Sequence, residues 1–431
     1  MQQTKEKIFT GYQVFIIAVL AFLQFTVILD FMVLSPLGVI LMKTLDITPS
    51  KFSVVVSAYA FSAGASGLLA AGFADKFDRK KLLLFFYAGF ILGTALCAVA
   101  PTFEFLLIAR IVTGLFGGVI GSIGMAIITD LFAMQVRGRV MGYVQMSFSG
   151  AQVLGIPIGL WLANHFGWHW CFWMIAIIGA AAGILMAVKM EPIVEHLKIK
   201  QDKNALHHLF TTVSKPRYLF GFLAMSTLAS GGFMLMPFGS AFGTHNMGLT
   251  LEQLPILYFV TGIFSMIAGP FVGKLSDKIG RFRMFVVGSV TAMAAVIVYT
   301  NLGITPFWEA CAVSVVLFTA VMARMIPASA TMTALPTLAD RGAFMSVNSA
   351  MMQIAGGAAS VLAGQIVGQT STGMILHYDT LGYVVVGAMI AMVIMMYFID
   401  RMLKQTPPQH FPAPGSGAVP EPEPVMAGDL H

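Results

Sequence analysis

The chain has 431 residues, of which 58% are hydrophobic and 10% are charged, and its formal net charge at pH 7 is +6. A soluble domain carries about 25% charged residues, so this composition excludes a soluble enzyme or binding domain and indicates a polytopic membrane protein. Positive charge on such a protein need not indicate nucleic acid, because lysine and arginine decide which loops stay in the cytoplasm. The predicted partners are a lipid bilayer and a small-molecule substrate, and no nucleic acid is expected.

Three cysteines, Cys97, Cys171 and Cys311, are too scattered for a disulfide framework or a metal site. We predict no metal ion and no cofactor.

A spanning helix needs about 20 mainly apolar residues, and Pro, Gly and charged clusters divide the chain into twelve such runs. The first run is too long for the core of a signal peptide, which has about 7–15 apolar residues, so we expect it to remain as a helix. The predicted spans are residues 13–41, 52–73, 82–100, 103–130, 140–164, 170–189, 218–245, 254–273, 284–302, 307–333, 343–368 and 381–400.

A polar segment between the sixth and seventh spans reads as a linker between two six-helix bundles. The predicted fold class is therefore an all-α integral membrane protein with two pseudo-symmetric bundles. The chain after the last span is rich in Pro, Gly, Ala and Glu, a composition that cannot bury a core, so we predict a disordered cytoplasmic tail. The predicted domains are a cytoplasmic N-terminus at 1–12, a first bundle at 13–190, a linker at 191–217, a second bundle at 218–403 and a tail at 404–431.

The charges predict the orientation. With a cytoplasmic N-terminus, 21 of the 25 lysines and arginines fall in cytoplasmic segments, and only Lys43 and Lys51 fall in segments on the outer side of the membrane. The positive-inside rule then places both termini in the cytoplasm of a bacterial inner membrane. All five tryptophans fall at the outer interface, where amphipathic rings prefer to lie. They are Trp161, Trp168, Trp170, Trp173 and Trp308.

A short charged sequence occurs twice, once after the second span and once after the eighth. The first copy reads GFADKFDRKKL and the second reads GKLSDKIGRF. Asp75 and Arg79 of the first copy recur as Asp277 and Arg281 of the second, about two hundred residues later. The repeat indicates that the chain consists of two similar halves.

This repeated loop resembles the G-x-L-x-D-x-x-G-R-[KR] signature of the major facilitator superfamily. The second copy keeps the signature residues Gly273, Leu275, Asp277, Gly280 and Arg281. The first copy keeps Asp75, Arg79 and Lys80. It departs from the signature at three positions: Ala71 replaces the first glycine, Phe73 the leucine and Asp78 the second glycine.

Two more motifs resemble the same family. Arg110 and Gly114 match its fourth-helix R-x-x-x-G motif. The fifth-helix antiporter motif is represented by Gly150, Gly155, Pro157 and Gly159, with Ile156 inserted where Gly and Pro would be adjacent. With Asp30 in the first helix, the chain is most similar to the twelve-helix drug:proton antiporters. The resemblance implies two bundles that rock around a central cavity lined by the first, fourth, seventh and tenth helices.

The repeated loop also suggests a conformational latch. As the family pattern implies, Arg79 could pair with Asp75 and with an acid at the inner end of the fourth helix. Partly exposed pairs contribute about 0.2–1 kcal/mol each, which would bias a two-state equilibrium without freezing it. The alternative is a turn that only sets topology. The proposed latch residues are Asp75, Arg79, Lys80, Asp130, Asp277 and Arg281.

Charges inside a span cost about 2.5–3.5 kcal/mol and usually serve a function. Asp30 and Arg110 both fall in the outer half of the membrane and form a candidate ion pair that could carry the coupling proton. The alternative is that Asp30 is a permanent structural partner of Arg110. Arg324 has no central carboxylate nearby in the second half. It could contact an anionic group of the substrate, bind carbonyls freed by Pro327, or reach Asp30 across the cavity.

The remaining cavity candidates are aromatic, thioether and amide side chains, a surface that adapts to several ligands. For each of them, ordinary helix packing is the alternative. They are Gln24, Tyr59, Gln145, Gln152, Phe233, Met234 and Gln353, beside the charged residues Asp30, Arg110 and Arg324. Glycines repeated in the fourth span indicate close helix contact. They are Gly114, Gly117, Gly118, Gly121 and Gly124.

The sequence therefore predicts a monomeric secondary active transporter that works by alternating access and exports amphiphilic small molecules or drugs in exchange for protons. An alternative is a transporter of a polar or anionic metabolite, such as a sugar, siderophore or lysolipid, because the cavity arginines outnumber Asp30. Sodium coupling and import are also open. A channel and a membrane-embedded lipid-modifying enzyme are more remote. The sequence has no ATP-binding loop, and its nearest approach to a catalytic cluster is His377-Tyr-Asp379, so we predict that it is not an enzyme.

Overall fold

The computed structural model of the protein describes residues 9–70, 76–198, 214–337 and 340–405. Side-chain caps begin several helices: Thr10 precedes the helix Gly11–Val33 in a capping box, and Asp78 and Thr102 precede the helices Arg79–Ala98 and Phe103–Leu131. The first bundle contains α1 (Gly11–Val33), α2 (Gly38–Thr44), α3 (Pro49–Ala70), α4 (Arg79–Ala98), α5 (Phe103–Leu131), α6 (Met134–Gly150), α7 (Ile156–Phe166) and α8 (His169–Lys189). The second contains α9 (Pro216–Leu235), α10 (Gly239–His245), α11 (Gln253–Ile279), α12 (Arg281–Thr300), α13 (Phe307–Met332), α14 (Arg341–Ile366) and α15 (Tyr378–Gln405). A two-stranded antiparallel ribbon of β1 (Gly368–Gln369) and β2 (Ile375–Leu376) joins α14 to α15.

Eleven helical stretches within the described residues are long and apolar enough to cross a membrane. The twelfth crossing is α14, whose many Gly, Ala and Ser residues lower its hydropathy. This composition fits its position, because α14 packs against α3 of the first bundle and α9 of the second. The predicted all-α fold with twelve spanning segments in two bundles is confirmed. The predicted N-terminal residues 1–8, the middle of the linker at 199–213 and the tail from residue 406 lie outside the described residues.

The prediction of one unbroken first helix is wrong. α1 ends at Val33, and α2 begins only at Gly38, because Pro36 lacks the N–H that a helix would need and its ring clashes with the preceding turn. The seventh span is broken in the same way at Pro237, where a short 3₁₀ turn separates α9 from α10. The two breaks meet across the bundles, where Ser240 Oγ donates to the main-chain oxygen of Ser35 at 3.1 Å.

The fifth span is longer than predicted and changes its winding. It runs from α6 through a π-helical turn at Ala151–Gly155 into α7. In the π turn the N–H of Ile156 donates to the main-chain oxygen of Ala151, five residues earlier. Pro157, which follows, has no N–H to give to an α-helical bond, so the irregular turn and the proline occur together.

The molecule has two distinct ends. The basic end carries the turns between α3 and α4, α5 and α6, and α11 and α12, and the tryptophan end carries Trp161 and Trp308. At the tryptophan end one apolar core joins both bundles, including Val33 of the first and Phe238 of the second. Towards the basic end, each bundle has its own core. The bundles are therefore sealed together at the tryptophan end, with lateral contacts between α3 and α14 and between α6–α7 and α11.

Candidate proton-coupling site and conformational latch

Asp30 on α1 and Arg110 on α5 form an ion pair inside the first bundle, as predicted. Arg110 Nη1 lies 2.6 Å from Asp30 Oδ2 and 3.4 Å from the main-chain oxygen of Asp30. Both side chains have 0% exposure. The opposite charges compensate each other in an interior where either one alone would be costly.

Polar side chains of α4 and α5 complete the surroundings of the pair. Thr94 Oγ1 donates to Asp30 Oδ1 at 3.1 Å, and the Sγ of Cys97 lies 3.7 Å from the Oγ1 of Thr113. All three are buried. Sequence reasoning did not identify these residues. A hydroxyl group in an apolar helix at the depth of Asp30 is the signal that could have revealed Thr94.

Aromatic rings connect the ion pair to the second bundle. The Cζ of Arg110 lies 4.6 Å from the centroid of the Tyr59 ring on α3. Phe31 packs on Tyr59 and on Phe233 of α9, with 5.3 Å between the ring centroids of each pair. A desolvated cation over an aromatic face gains about 2 kcal/mol, and Arg110 Nε and Nη2 have no hydrogen-bond acceptor within the described residues. Tyr59 therefore covers the part of Arg110 that Asp30 does not bind.

The expectation that Asp30, Arg110 and Arg324 face one space is wrong. Thr94 and Arg110 hold the Asp30 carboxylate towards α4 and α5, and Tyr59 fills the space on the side of the second bundle. The ion pair is thus enclosed within the first bundle and does not line an open cavity in this conformation.

Arg324 lies on α13 in the other half of the membrane. It precedes Met332, the last residue of α13, by two turns, or about 12 Å at about 1.5 Å per residue. Its Cζ lies 5.8 Å from the centroid of Phe285, which is on the second turn of α12 from the basic end. The side chain is 3% exposed, and it forms no salt bridge within the described residues. Arg324 therefore does not reach Asp30, and it remains a buried cation without a carboxylate.

The remaining predicted cavity residues differ in their burial. Met234 belongs to the shared core at the tryptophan end, and Gln152 is buried in the π turn. Gln24, Phe233 and Gln353 are half-buried, and Gln145 is exposed on α6. Their contact with a substrate remains a prediction.

The glycines of the fifth-helix motif let α6 and α7 approach α1 beside Asp30. A Cβ on Gly155 would lie 2.5 Å from Leu29 Cδ1, and one on Gly159 would lie 3.1 Å from Val33 Cγ2. Of the predicted motif Gly150, Gly155, Pro157 and Gly159, the glycines at 155 and 159 therefore form the contact between the first and fifth spans, and Pro157 lies beside Pro255 and Ile256 of α11.

Three of the five glycines of α5 for which close contacts were predicted make them, and Gly121 and Gly124 have ordinary spacing to their neighbours. The three are Gly114, Gly117 and Gly118. A Cβ on Gly114 would lie 2.5 Å from the main-chain oxygen of Tyr59, and one on Gly118 would overlap the main chain of Ala63 on α3. Gly124, further along the helix, leaves 3.7 Å to Leu20 of α1. The contact of α3 with α5 is thus tighter than that of α1 with α5.

Arg79 of the first copy of the repeated loop pairs with Asp130 near the end of α5, as predicted. Arg79 Nε lies 3.1 Å from Asp130 Oδ2. Asp75, the other expected partner, lies outside the described residues. The main-chain N–H of Lys80 donates to Asp78 Oδ1, which explains why an acid can replace glycine here: it caps α4.

The two copies of the loop have different backbone geometry. Gly280 has φ +96°, a conformation that favours glycine, whereas Asp78 has φ −55°. Arg281 Nη1 donates to the main-chain oxygen of Ala330 at 3.0 Å, and Asp277 is exposed. Within the described residues, the second copy therefore binds a helix carbonyl where the first copy binds a carboxylate.

Residues 190–198, which we call the strap, fold back over the basic end of the first bundle. The main-chain N–H of Arg79 donates to the oxygen of Ile193 at 3.2 Å. The Nδ1 of His196 lies 3.5 Å from Asp130 Oδ2. The beginning of the predicted linker therefore contacts both Arg79 and Asp130, which was not predicted from the sequence.

A second polar cluster joins α9 and α14 at the basic end. Asp340 Oδ2 accepts hydrogen bonds from Lys215 Nζ at 2.6 Å, Tyr218 OH at 2.7 Å and Thr337 Oγ1 at 2.9 Å. The hydrogen bond from Lys215 lowers the pKa of Asp340 to about 2 and raises the pKa of Lys215. This cluster was not predicted from the sequence.

Solved structures share this fold. A bacterial homologue of the human lysosomal transporter Spinster, in an inward-facing and occupied conformation, has a TM-score of 0.67 with 15% identity over 92% of this chain and 97% of that one. A mutant of a peptide transporter POT, in complex with alafosfalin, has a TM-score of 0.70 with 13% identity over 90% of this chain and 95% of that one. At these identities the likeness concerns the fold alone.

Among sequence relatives, the uncharacterized MFS-type transporter YceJ of Bacillus subtilis (strain 168) is 27% identical over 62% of this chain and 67% of that protein. Multidrug resistance protein 3 of the same strain is 32% identical over 35% of this chain, and the match spans 30% of that relative's length. The Bicyclomycin resistance protein homolog of Haemophilus influenzae (strain ATCC 51907 / DSM 11121 / KW20 / Rd) is 24% identical over 56% of this chain and 61% of that protein.

The family model described as Major Facilitator Superfamily matches residues 20–334, which is more than half of the chain. The twelve spanning segments and the repeated charged loop agree with this match. The protein is a multi-pass membrane transporter that belongs to the major facilitator superfamily.

Proposed function

We propose that the protein exports amphiphilic small molecules in exchange for protons, by alternating access of its two bundles. The observation that carries this proposal is the enclosed Asp30–Arg110 pair next to the contact between the bundles. The family indicates a transporter and not an enzyme. Two relatives are named Multidrug resistance protein 3 and Bicyclomycin resistance protein homolog, which favours drug-like substrates.

The energy of the pair is large enough for coupling. A proton on Asp30 would remove one charge and leave Arg110 as an isolated cation in an apolar interior. Removing one partner of a buried pair costs about 3–5 kcal/mol, and about 5.5 kcal/mol moves a two-state equilibrium from 1:99 to 99:1. The cost of one protonation is below that full reversal, but at about 1.4 kcal/mol per factor of ten it changes the two-state ratio more than about a hundredfold. It would therefore favour a conformation in which Arg110 meets water or substrate.

The side chains near the bundle contact favour an amphiphilic substrate. Phe31, Phe233 and Met234 supply aromatic and thioether surface, and Gln152 supplies an amide in the π turn. Such surfaces bind several ligands of similar shape and polarity, because they adapt their packing and set few directional requirements.

The substitution Asp30→Asn tests the coupling role. In proteoliposomes with an imposed pH gradient and ethidium as the lipophilic cation, we expect the wild type and Asp30→Glu to accumulate the probe. Asp30→Asn should lose the accumulation driven by the pH gradient and keep exchange down a probe gradient, because the proton acceptor is gone while the transport path remains.

Replacement of sodium by potassium on both sides of the membrane is the control for the coupling ion. The wild type should be unaffected, since the proposal uses a proton. Accumulation by Asp30→Asn at the wild-type level would contradict the coupling role.

Arg324 supports a second candidate, transport of a polar or anionic metabolite. It is buried and forms no salt bridge within the described residues, so an anionic group of a substrate could neutralise it. In cells with and without the protein, efflux of fluorescein compared with ethidium separates the two candidates. Arg324→Gln should abolish anion efflux if this candidate is correct, and Lys274→Gln, an exposed charge near the same end, should not.

The proposed location is a bacterial inner membrane, with the basic end in the cytoplasm and the protein a monomer. A membrane-impermeant maleimide tests the orientation. Ile304→Cys, at a position 92% exposed at the tryptophan end, should be labelled in intact cells, and Lys278→Cys, exposed at the basic end, only after lysis. The opposite labelling pattern would mean that the tryptophan end faces the cytoplasm.

Size-exclusion chromatography with light scattering tests whether the protein is a monomer.

A further inference from the structure

Three aromatic rings run from the second bundle to the buried ion pair, and Phe31 is the middle one. Phe233 of α9 contacts Phe31, Phe31 contacts Tyr59, and Tyr59 covers Arg110, at the distances given above. We infer that Phe31 is a positioning residue that ties the closure of the tryptophan end to the enclosure of the Asp30–Arg110 pair. The link to proton coupling rests on the proposed function, whereas the mechanical link between the bundles does not.

The position of Phe31 on α1 makes this link direct. Consecutive residues of an α-helix point about 100° apart. Asp30 therefore faces α4 and α5, where Thr94 and Arg110 bind it, while Phe31 faces α3 and the second bundle. α1 ends two residues later, at Val33. A displacement of this last turn of α1 moves the acid and the aromatic ring together.

The two outer rings of this row of three aromatic side chains are closely packed against neighbouring helices. A Cβ on Gly356 of α14 would lie 2.7 Å from the Phe233 ring, so Phe233 is packed into α14 and moves with the second bundle. A Cβ on Gly117 of α5 would lie 2.9 Å from the hydroxyl of Tyr59, so Tyr59 is equally packed against α5. Because protein interiors are close-packed, a shift at one end of such a chain displaces its neighbours.

The consequence concerns access to the ion pair. When the bundles separate at the tryptophan end, Phe233 leaves Phe31, and Phe31 no longer presses Tyr59 onto Arg110. The pair is therefore enclosed only while the tryptophan end is closed. Truncation of Phe31 or of Phe233 should expose the polar side chains around Asp30 and Arg110, even though neither ring forms a hydrogen bond with the ion pair.

The native thiol of Cys97 can report this opening. Cys97 has 0% exposure and lies beside Arg110 and Thr113. In full-length protein in vesicles, with Cys171→Ala and Cys311→Ala as background, the rate of alkylation by N-ethylmaleimide measures how often the cluster opens. We expect Phe31→Ala and Phe233→Ala to raise this rate about tenfold, equivalent to about 1.4 kcal/mol in the opening equilibrium.

Matched variants separate this role from ordinary packing. Phe22→Ala removes another ring of α1, 38% exposed and paired with Phe25, and should leave the rate unchanged. Phe31→Leu, which keeps most of the volume, covers the possibility that Phe31→Ala does not fold and should give a smaller increase. With Cys311 as the sole cysteine, Phe31→Ala and Phe233→Ala should not change alkylation, since Cys311 is buried in the second bundle.

Three results would overturn the inference: wild-type alkylation of Cys97 in both alanine variants, an increase with Phe31→Ala alone, or equal increases at Cys97 and Cys311. The second result would make Phe31 a local lid, and the third would indicate general loosening. The proposed function is tested separately. Faster alkylation of Cys97 in the Phe31 and Phe233 variants, together with unchanged coupling in Asp30→Asn, would support the positioning role of Phe31 and reject Asp30 as the proton site.

Discussion

At the scale of single residues, buried charges are the features that the sequence shows most clearly. Asp30, Arg110 and Arg324 stand out in apolar runs, and the first two form a pair as expected. Thr94 was not recognised, and Tyr59 was named only as a cavity candidate and not as a partner of Arg110, because a hydroxyl or a ring in a membrane helix is common. The separation of Arg324 from the pair could have been predicted from depth, because Arg324 lies near the inner end of the predicted tenth span whereas Asp30 lies in the outer half of the membrane.

The cluster around Asp340 leads to a prediction about pH. Because its folded pKa, about 2, lies below the usual value of about 3.9, the stabilisation from this carboxylate is fully present above about pH 4 and is lost as pH falls towards the folded pKa. The raised pKa of Lys215 preserves the pair on the alkaline side. We expect Asp340→Asn to lower the free energy of unfolding by about 1–3 kcal/mol.

Thermal unfolding of the protein in detergent measures this effect. The difference between wild type and Asp340→Asn should be constant from about pH 5 to about pH 9. Asp277→Asn, a change at an exposed acid, is the matched control and should have little effect. A difference that fades between about pH 7 and about pH 5 would contradict the low pKa of Asp340.

At the scale of helices, length and composition gave the number of spans, while local chemistry decided their continuity. Pro36 and Pro237 interrupt the first and seventh spans, and their positions inside apolar runs could have been read as breaks. The low hydropathy of α14 follows from its burial between α3 and α9, a contact that a single sequence does not reveal. The glycines of α5 were predicted to make close contacts, but not which helix each would face.

The α5 glycines give a test of close packing. Gly118→Ala should destabilise the protein by about 1–3 kcal/mol, because the added methyl group meets the main chain of Ala63 and overpacked cores cannot relax cheaply. Gly124→Ala, on the same helix, meets only the flexible end of Leu20 at 3.7 Å. It should be neutral or stabilising, since alanine favours a helix over glycine by about 1 kcal/mol.

Apparent unfolding temperatures of the two variants, measured side by side, decide between the expectations. Equal effects of both substitutions would mean that the spacing between α3 and α5 is not set by Gly118.

At the scale of the whole molecule, one shared core and two separate cores describe a transporter closed at its tryptophan end. The sequence predicted the two halves from the repeated loop, yet it could not show which end is closed, because contacts between the bundles are not visible in a single sequence. The two loop copies also differ in backbone conformation at equivalent positions, although they occupy equivalent places in the two halves. Asp78 caps a helix in one half, and Gly280 makes a left-handed turn in the other.

Closure at the tryptophan end should be needed only part of the time. Asn164 Nδ2 of the first bundle donates to the main-chain oxygen of Leu251 of the second at 2.8 Å. An oxidative cross-link in Asn164→Cys/Leu251→Cys should stop transport in vesicles, and a reductant should restore it, because alternating access requires this contact to separate.

The control is a cross-link within one bundle at the same end. Lys51 lies over the Phe103 ring at 5.4 Å, and Lys51→Cys/Phe103→Cys should leave transport intact after oxidation. Full transport by the oxidised Asn164→Cys/Leu251→Cys protein would show that the bundles do not separate there.

The π turn in the fifth span has one more consequence. The hydrogen bond from the N–H of Ile156 to the oxygen of Ala151 closes a turn that contains one residue more than an α-helical turn. The fifth span therefore accommodates an extra residue without rotating α7, which follows the π turn. Ile156 is also the residue that separates Gly155 from Pro157 in a motif where the two would be neighbours. The chain can therefore lose one residue here by rewinding into a plain α-helix, whereas a deletion in the regular helix α8 would turn everything beyond it by about 100°. Tolerance to that single deletion is a property of the winding and not of any side chain.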